Sequence, residues 1–514
     1  MCGVVGYLDA QRPVAPDLFE RMRDTMVHRG PDGAGVWNTP DNMVAFGHRR
    51  LAIVDLTPSG HQPMLSDDAR YVITFNGEIY NHQPLRDELR SLGVAFHGSS
   101  DTEVLLNAFR VWGPDCLKRL VGMFAFAIYD TQARRLFAAR DRSGEKPFFY
   151  RHDGKRLLFA SELKALLAHP EMPRRISPAG LNHYLAYGYI PRAHCILDGY
   201  AKLAAGHQLD FSLDSGALTV SPYWTLPMPP PATGATPNEL LDEFQQLLNE
   251  SVRQQLMADV PVGIMLSGGL DSSRVTATAM RVSSTPVKTF TISFPGHAAH
   301  DESMFARQVA GWLGTAHTEL PADADNIDIL PQLAAQYDEP ITDSSMLPTY
   351  LVSRLVRQHC TVALGGDGGD ELFGGYKYYP RLVWLNWLRK LQLQHLGLEP
   401  LMASVLPLGA PGRNMLLGML NSNPIEAVLT RALDPHMRKQ LLGSRAPADL
   451  GFPESMHGAL IGKRRGVINR VTAVDFLAYM CDDILVKVDR ASMLCSLEMR
   501  APFLDHRIIE FAFG

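Results

Sequence analysis

The chain has 514 residues, 49 Lys and Arg against 54 Asp and Glu, and a formal charge of −5; at roughly 150 residues per domain this means two to four domains and excludes a single small binding module. Hydrophobic residues make up 46% and charged residues 20%, ordinary globular values that exclude a mainly disordered chain. The mild acidity, without long single-sign runs, leaves no electrostatic footprint for nucleic acid or an anionic membrane surface, so small-molecule chemistry is the default class.

The chain opens with MCGVVGYLDA, which lacks the basic head and long apolar core of a secretory signal, and no apolar stretch approaches the roughly 20 residues of a bilayer span. A cytoplasmic protein is expected. Cys2, Cys116, Cys195, Cys360, Cys481 and Cys495 are scattered, with no C-x-x-C pair and no zinc spacing. Reduced thiols follow, five of them reading as small core hydrophobes.

Short β-type runs dominate the first 220 residues: VVGYLD from Val4, MVAFGHRRLAIVD from Met43, RYVITFNGEIY from Arg70, MFAFAIYD from Met123, RLFAARD from Arg135 and PFFYRHDGKRLLFAS from Pro147. Helical patterns interrupt them at Ala15 to Val27, Gln83 to Leu92 and Asp101 to Trp112. A proline-rich, uncharged segment from Trp224 to Pro237 then marks a boundary, being incompatible with helix or central strand. Beyond it, strands alternate with helices, the pattern of a parallel sheet covered on both faces. Pro261 to Leu266 reads as a strand, Ser272 to Val282 as a helix, KTFTISF from Lys288 as a strand, Asp301 to Leu313 as a helix and TVALGG from Thr361 as a strand. Past Tyr376 the pattern is largely helical.

Cys2 stands apart because of its position. Removal of Met1, which a small second residue permits, leaves one residue with both a thiol and a free α-amine. A thiol of pKa about 8.5 needs a base, and an α-amine of pKa about 7.7 to 8.0 on the same residue supplies one. Attack on a carboxamide then gives a thioester and releases ammonia. The same half carries HRGPDG from His28, HRRLAIVD from His48, FNGEIYN from Phe75 and SSDTEVLL from Ser99. With these motifs the N-terminal half resembles the class II glutamine amidotransferase domain of glutamine-dependent asparagine synthetases, of the N-terminal nucleophile hydrolase type. The resemblance implies a four-layer αββα sandwich. It makes Cys2 the nucleophile, and Asn76 and Gly77 an oxyanion hole, since a side-chain amide and a turn N–H can both face a developing oxyanion. Arg50 matches the arginine that grips the glutamine α-carboxylate, where a planar fork suits bidentate binding. Asp101 and Glu78 match the groups meeting the α-ammonium, with Leu51, Ile53 and Val54 supplying backbone contacts. Asp101 also reads as the N-cap of the helix that follows, a task open to Ser100 as well.

In the second half, SGGLDSS from Ser267 to Ser273 follows a strand and opens a helix, a geometry in which bare N–H groups bind phosphate. It is neither the P-loop nor the dinucleotide fingerprint. It resembles the pyrophosphate loop of ATP pyrophosphatases, which adenylate carboxylates. The resemblance assigns Leu266, Ser267, Gly268, Gly269, Asp271, Ser272, Ile292, Gly365 and Gly366 to ATP, and Asp271 and Asp370 to Mg2+, for which carboxylate oxygens are suitable hard ligands. GGDGGDELFGGY from Gly365 places Asp367 where an acidic residue influences formation of the acyl-adenylate; family members often have the longer glutamate there. Lys487, Asp489, Arg490, Glu498 and Arg500, in the block from Leu485 to Asp505, fit an internal ion network at least as well as catalysis.

The fold expected is therefore an N-terminal α+β sandwich over 2–212, a strand end and linker over 213–237, and an α/β parallel-sheet domain with a helical extension over 238–514. The resemblance also implies that the natural chain continues past Gly514, carrying the family's catalytic lysine. The expected reaction is ATP-dependent conversion of aspartate to asparagine, with ammonia passed from Cys2 through an internal tunnel. The implied partners are glutamine, aspartate and ATP, with no nucleic acid and no membrane, and a homodimer is left open. The same chemistry on another carboxylate, such as a sugar acid, is the alternative, and a non-catalytic binding paralogue is the second.

Overall fold

A computed structural model describes residues 1–229, 234–293, 301–322, 327–388, 391–407, 410–420, 432–443, 453–464 and 466–514. Residues 230–233 of the proline-rich segment and Phe294 of the KTFTISF run lie outside the described residues. Two six-stranded antiparallel sheets build the first half. One runs, edge to edge, Tyr200–Lys202, Phe149–His152, Arg156–Ala160, Gly3–Asp9, Val44–Arg50 and Gly33–Asn38; the other runs Leu218–Pro222, His207–Ser212, Arg135–Arg140, Gly122–Asp130, Tyr71–Ile79 and Met64–Leu65.

Side-chain alternation explains how they stack. From Gly122–Asp130, Ala125, Ala127 and Tyr129 point into a core between the sheets with Leu8, Phe46 and Val72. Phe124, Phe126 and Ile128 point the other way, against Leu85, Leu89 and Leu105 of the helices His82–Ser91 and Asp101–Trp112. On the far side, Val5 and Tyr7 meet Phe19 and Met22 of the helix Pro16–Asp24. The result is helix, sheet, sheet, helix.

The second half holds a five-stranded parallel sheet ordered Ala316–Pro321, Lys288–Ser293, Val262–Met265, Val362–Leu364 and Glu498–Arg500. Helices cover both faces. Ile264 and Leu364 pack with Leu248, Val275, Ile508 and Phe513 on one side, and Phe290, Ala363 and Met499 pack with Val356 on the other. The edge strand Glu498–Arg500 comes from the charged block near the chain end, where local patterning gives no strand signal. Among the described residues past Tyr376, helices dominate as expected, and none is long and apolar enough to cross a membrane.

Two expectations change. The strand expected to run from Met43 to Asp55 stops at Arg50, because the chain turns back: the Arg50 guanidinium holds the carbonyls of Asp55 and Thr57. The strand end expected within 213–237 is a full strand, Leu218–Pro222, which pairs along His207–Ser212 as the second arm of a hairpin and leaves only the residues after Pro222 as linker. The following helix, Pro237–Gln255, opens with a capping box in which Thr236 and Glu239 satisfy each other's N–H groups.

Candidate active sites

Cys2 lies buried at the head of the strand Gly3–Asp9, where the two antiparallel sheets come together. Its N–H donates to Asn76 Oδ1 at 2.8 Å, and its Sγ faces the Leu51 carbonyl at 3.9 Å. Burial pushes the thiol up from its ordinary value, with Glu78 and Glu498 adding to the shift. Asn76 has no exposed surface, and its Nδ2 lacks a partner among the described residues. A buried donor left unpaired costs about 1 to 3 kcal/mol, so its retention points to a transient acceptor. Gly77 fits only as glycine, since a Cβ there lies 2.1 Å from the Met123 carbonyl.

The pocket beside Cys2 is walled by Arg50, Leu51, Ile53, Val54, Gly77, Glu78 and Asp101. Leu51 to Val54 reach it because they have left the sheet. Ser100 caps the helix Asp101–Trp112 through the Glu103 N–H. Asp101 is thus released from capping, and its Oδ2 accepts from the Ile79 N–H at 2.9 Å instead. Burial, the Asp101 charge and Glu498 push Glu78 well above the usual carboxylate range; burial raises Asp101 as well. Two raised carboxyls on one pocket are relieved by a cation. Gln62 and Thr102, which also line it, carry no local signal in the sequence.

The second site is a cavity of about 1260 Å³ outside the carboxyl ends of the parallel strands, where ligands of such sheets bind. Leu266, Ser267, Gly269, Asp271, Ser272, Ile292, Gly365, Gly366, Asp367 and Asp370 line it. Gly268 is not in the wall but makes the turn: its φ is +81°, and a Cβ would sit 2.7 Å from the Ala306 nitrogen. The helix Leu270–Val282 has Gly269 as N-cap and no side-chain cap, so its first-turn N–H groups stay available to an anion. Ser267 and Ser272 hydroxyls stand 3.0 Å apart at its mouth. The glycine-rich segment packs directly on this loop, since a Cβ on Gly369 would meet the Asp271 carboxylate at 2.5 Å.

Burial pushes Asp271 up to about 6, with Asp370 and Asp367 contributing. Such a carboxyl stabilises the fold only while protonated, so stability present below about pH 4 is lost as pH rises through about 6. Asp271→Asn, neutral throughout, is therefore expected to raise the unfolding midpoint of the ligand-free protein at pH 7.5. Discounted for partial exposure this is about 1 kcal/mol, or roughly 2 to 4 °C, and the gain should vanish near pH 4. Thermal scans at the two pH values check it.

Lys487 meets both readings open to it, an ion pair and a place on the cavity wall. It lines the same cavity, and its Nζ lies 3.1 Å from Asp343 and 2.9 Å from Ser345 Oγ. Burial works against its charge, but Asp343 overcomes this and holds the ammonium above its ordinary range. The only sequence signal was a cation within an apolar helical pattern.

The rest of that block joins the two halves. Arg29, fully buried, donates Nε to the Cys2 carbonyl at 3.0 Å, one Nη to Glu162 at 2.9 Å and both Nη groups to Asp489 at 2.8 Å. Arg490 bonds Asp489 and approaches Asp338. Glu498 and Arg500 pair at 2.7 Å with no exposed surface on either side chain. Asp367 and Met499 border both the large cavity and a smaller one of about 20 Å³ that also touches Met1.

The glutamine amidotransferase domain family model matches residues 1–224, and the asparagine synthase family model matches residues 243–514. Asparagine synthetase (glutamine-hydrolysing) 1 of Bacillus subtilis is 33% identical, covering all of this chain and 80% of its own. A Methanocaldococcus jannaschii protein with a provisional name of the same kind is 34% identical over 98% of this chain and 100% of its own. A solved structure titled as the allosteric regulatory enzyme of purine biosynthesis aligns at 16% identity over 62% of this chain and 80% of its own, with a TM-score of 0.35. On the family models and the full-length relatives, the chain belongs to the glutamine-hydrolysing asparagine synthetase family.

Proposed function

We propose that this enzyme makes asparagine from aspartate in an ATP-dependent reaction, taking its nitrogen from glutamine at Cys2. In this reading the Cys2 thiolate attacks the glutamine carboxamide, and Asn76 Nδ2 and the Gly77 N–H receive the oxyanion. Arg50 takes the α-carboxylate, while Glu78 and Asp101 take the α-ammonium whose charge their raised carboxyls lack. In the second cavity, the Ser267 to Ser272 loop and the open helix start receive the ATP phosphates. Asp271, pushed up to about 6 by burial with the charges of Asp370 and Asp367 adding to it, forms with Asp370 a donor set that fits Mg2+, which would neutralise phosphate charge. Asp367 and Lys487 border the place where the carboxylate acceptor is activated.

One observation carries the reading: a small cavity lies between the two sites, walled at one end by Met1, the chain neighbour of Cys2, and sharing Asp367 and Met499 with the large cavity at the other. At about 20 Å³ that space admits a molecule the size of water or ammonia, which supports passage of ammonia away from solvent protons. The shorter Asp367 favours one second reading, a bulkier carboxylate acceptor. Incubation with ATP, Mg2+ and glutamine, with and without aspartate, separates them. Aspartate-dependent pyrophosphate release with asparagine seen by mass spectrometry is expected; release indifferent to aspartate overturns the first reading.

A further inference from the structure

Glu498 sits on the edge strand Glu498–Arg500 with no exposed surface. Its Oε1 accepts from Arg500 Nε at 2.7 Å, and its Oε2 accepts from the Met1 α-ammonium at 2.7 Å. Met1 is itself buried, packed with Leu51, Ile53, Val362 and Met493. Burial alone would raise the Glu498 carboxyl, but the Met1 ammonium and Arg500 hold it down at about 2. The contact is thus a built seat for a small ammonium: a carboxylate fixed by its own arginine, a charge-assisted hydrogen bond, and no water-exposed side. Met1 and Cys2 are neighbours with Cα atoms about 3.8 Å apart, so the seat lies one residue from the sulfur-bearing position. The small cavity leading towards Asp367 begins at Met1.

Excision of Met1, expected from the small second residue, vacates this seat and leaves Glu498 its Arg500 partner at 2.7 Å. We propose that in the processed enzyme Glu498 binds the ammonium formed when glutamine is hydrolysed at Cys2, with the α-ammonium of Met1 marking the position in the unprocessed chain. The site holds nitrogen inside the protein between the two active sites. Onward passage as ammonia breaks one N–H bond of the ammonium and forms one on the free α-amine of Cys2, which passes the proton to solvent as glutamate leaves, while Glu498 stays a carboxylate. Excision then has two effects at once, freeing the Cys2 amine and opening the ammonium site. The proposal rests on glutamine hydrolysis at Cys2.

Ammonium chloride is the probe, compared with sodium chloride at equal ionic strength, and thermal unfolding is the readout. Three proteins are compared: the processed enzyme, the same sequence purified with Met1 retained by blocking methionine aminopeptidase during expression, and processed Glu498→Gln. An upward shift specific to ammonium is expected in the first alone. The same shift in the Met1-retained protein, or none in the processed one, overturns the proposal; the latter is also the result if the new Cys2 amine takes the seat. If Glu498→Gln does not fold, the Met1-retained protein still decides, since its sequence is unaltered. In glutamine-driven assays Glu498→Gln should lower amide formed per glutamate by at least about fivefold, the missing ammonia appearing in bulk. An ammonium shift without any glutamate formation would instead sink the Cys2 reading and leave the site standing.

Discussion

Cys2→Ala is expected to lower glutamine-dependent synthesis by at least about 10³-fold while ammonia-dependent pyrophosphate release stays within about threefold of the parent. The substitution removes only the sulfur. The Cys2 N–H still reaches Asn76, and the carbonyl still receives Arg29. Alanine is also small enough for Met1 to be removed. The large cavity and its glycine-rich loop take no side chain from Cys2, so a reaction fed by free ammonia has no reason to fail. Both rates measured on one preparation decide the matter, and equal loss of both would mean that the two sites do not operate separately.

Arg29→Met should be the most damaging single change to the fold, at about 3 to 5 kcal/mol. It strips four hydrogen bonds from a side chain with no exposed surface and leaves Glu162 and Asp489 buried with less cation around them. Burial acts to raise both carboxyls, and each is held in the opposite direction by its cations; for Asp489 the first of these is Arg29. Glutamine hydrolysis should fall with stability, because the same guanidinium positions the Cys2 carbonyl. Pairing it with Asp489→Leu is expected to restore part of the stability, since an apolar replacement of a buried ion pair can be neutral. Urea titrations of both variants check this; no recovery in the pair would place the damage in packing rather than in the orphaned charge.

Much of the site was legible because its motifs are contiguous. SGGLDSS supplies turn, hydroxyls and helix start within seven residues, and five of them line the cavity; Gly268 makes the turn itself, and Ser273 lies behind the wall. Local chemistry also explained Ser100 and Asp101, where two residues able to cap meant that one was free for another task. Local chemistry misled at Leu51 to Val54. An apolar, β-branched run reads as strand, yet the carbonyls of Asp55 and Thr57 on the Arg50 guanidinium pull it out of the sheet and onto the pocket.

The sequence by itself determined the two layouts, antiparallel then parallel, because periodicity and turn residues act over a few positions. It also named the candidate site residues, because the thiol, amide, glycine and carboxylate motifs are each contiguous. How the halves meet was decided only by the tertiary structure. A proline-rich boundary suggests separable units, yet Arg29 reaches Asp489 across 460 residues, and Met1 reaches Glu498 across 497. No local pattern encodes such a partner: a buried arginine and a solvated one have the same sequence neighbours. Only folding removes the water that would otherwise have been each charge's counterpart.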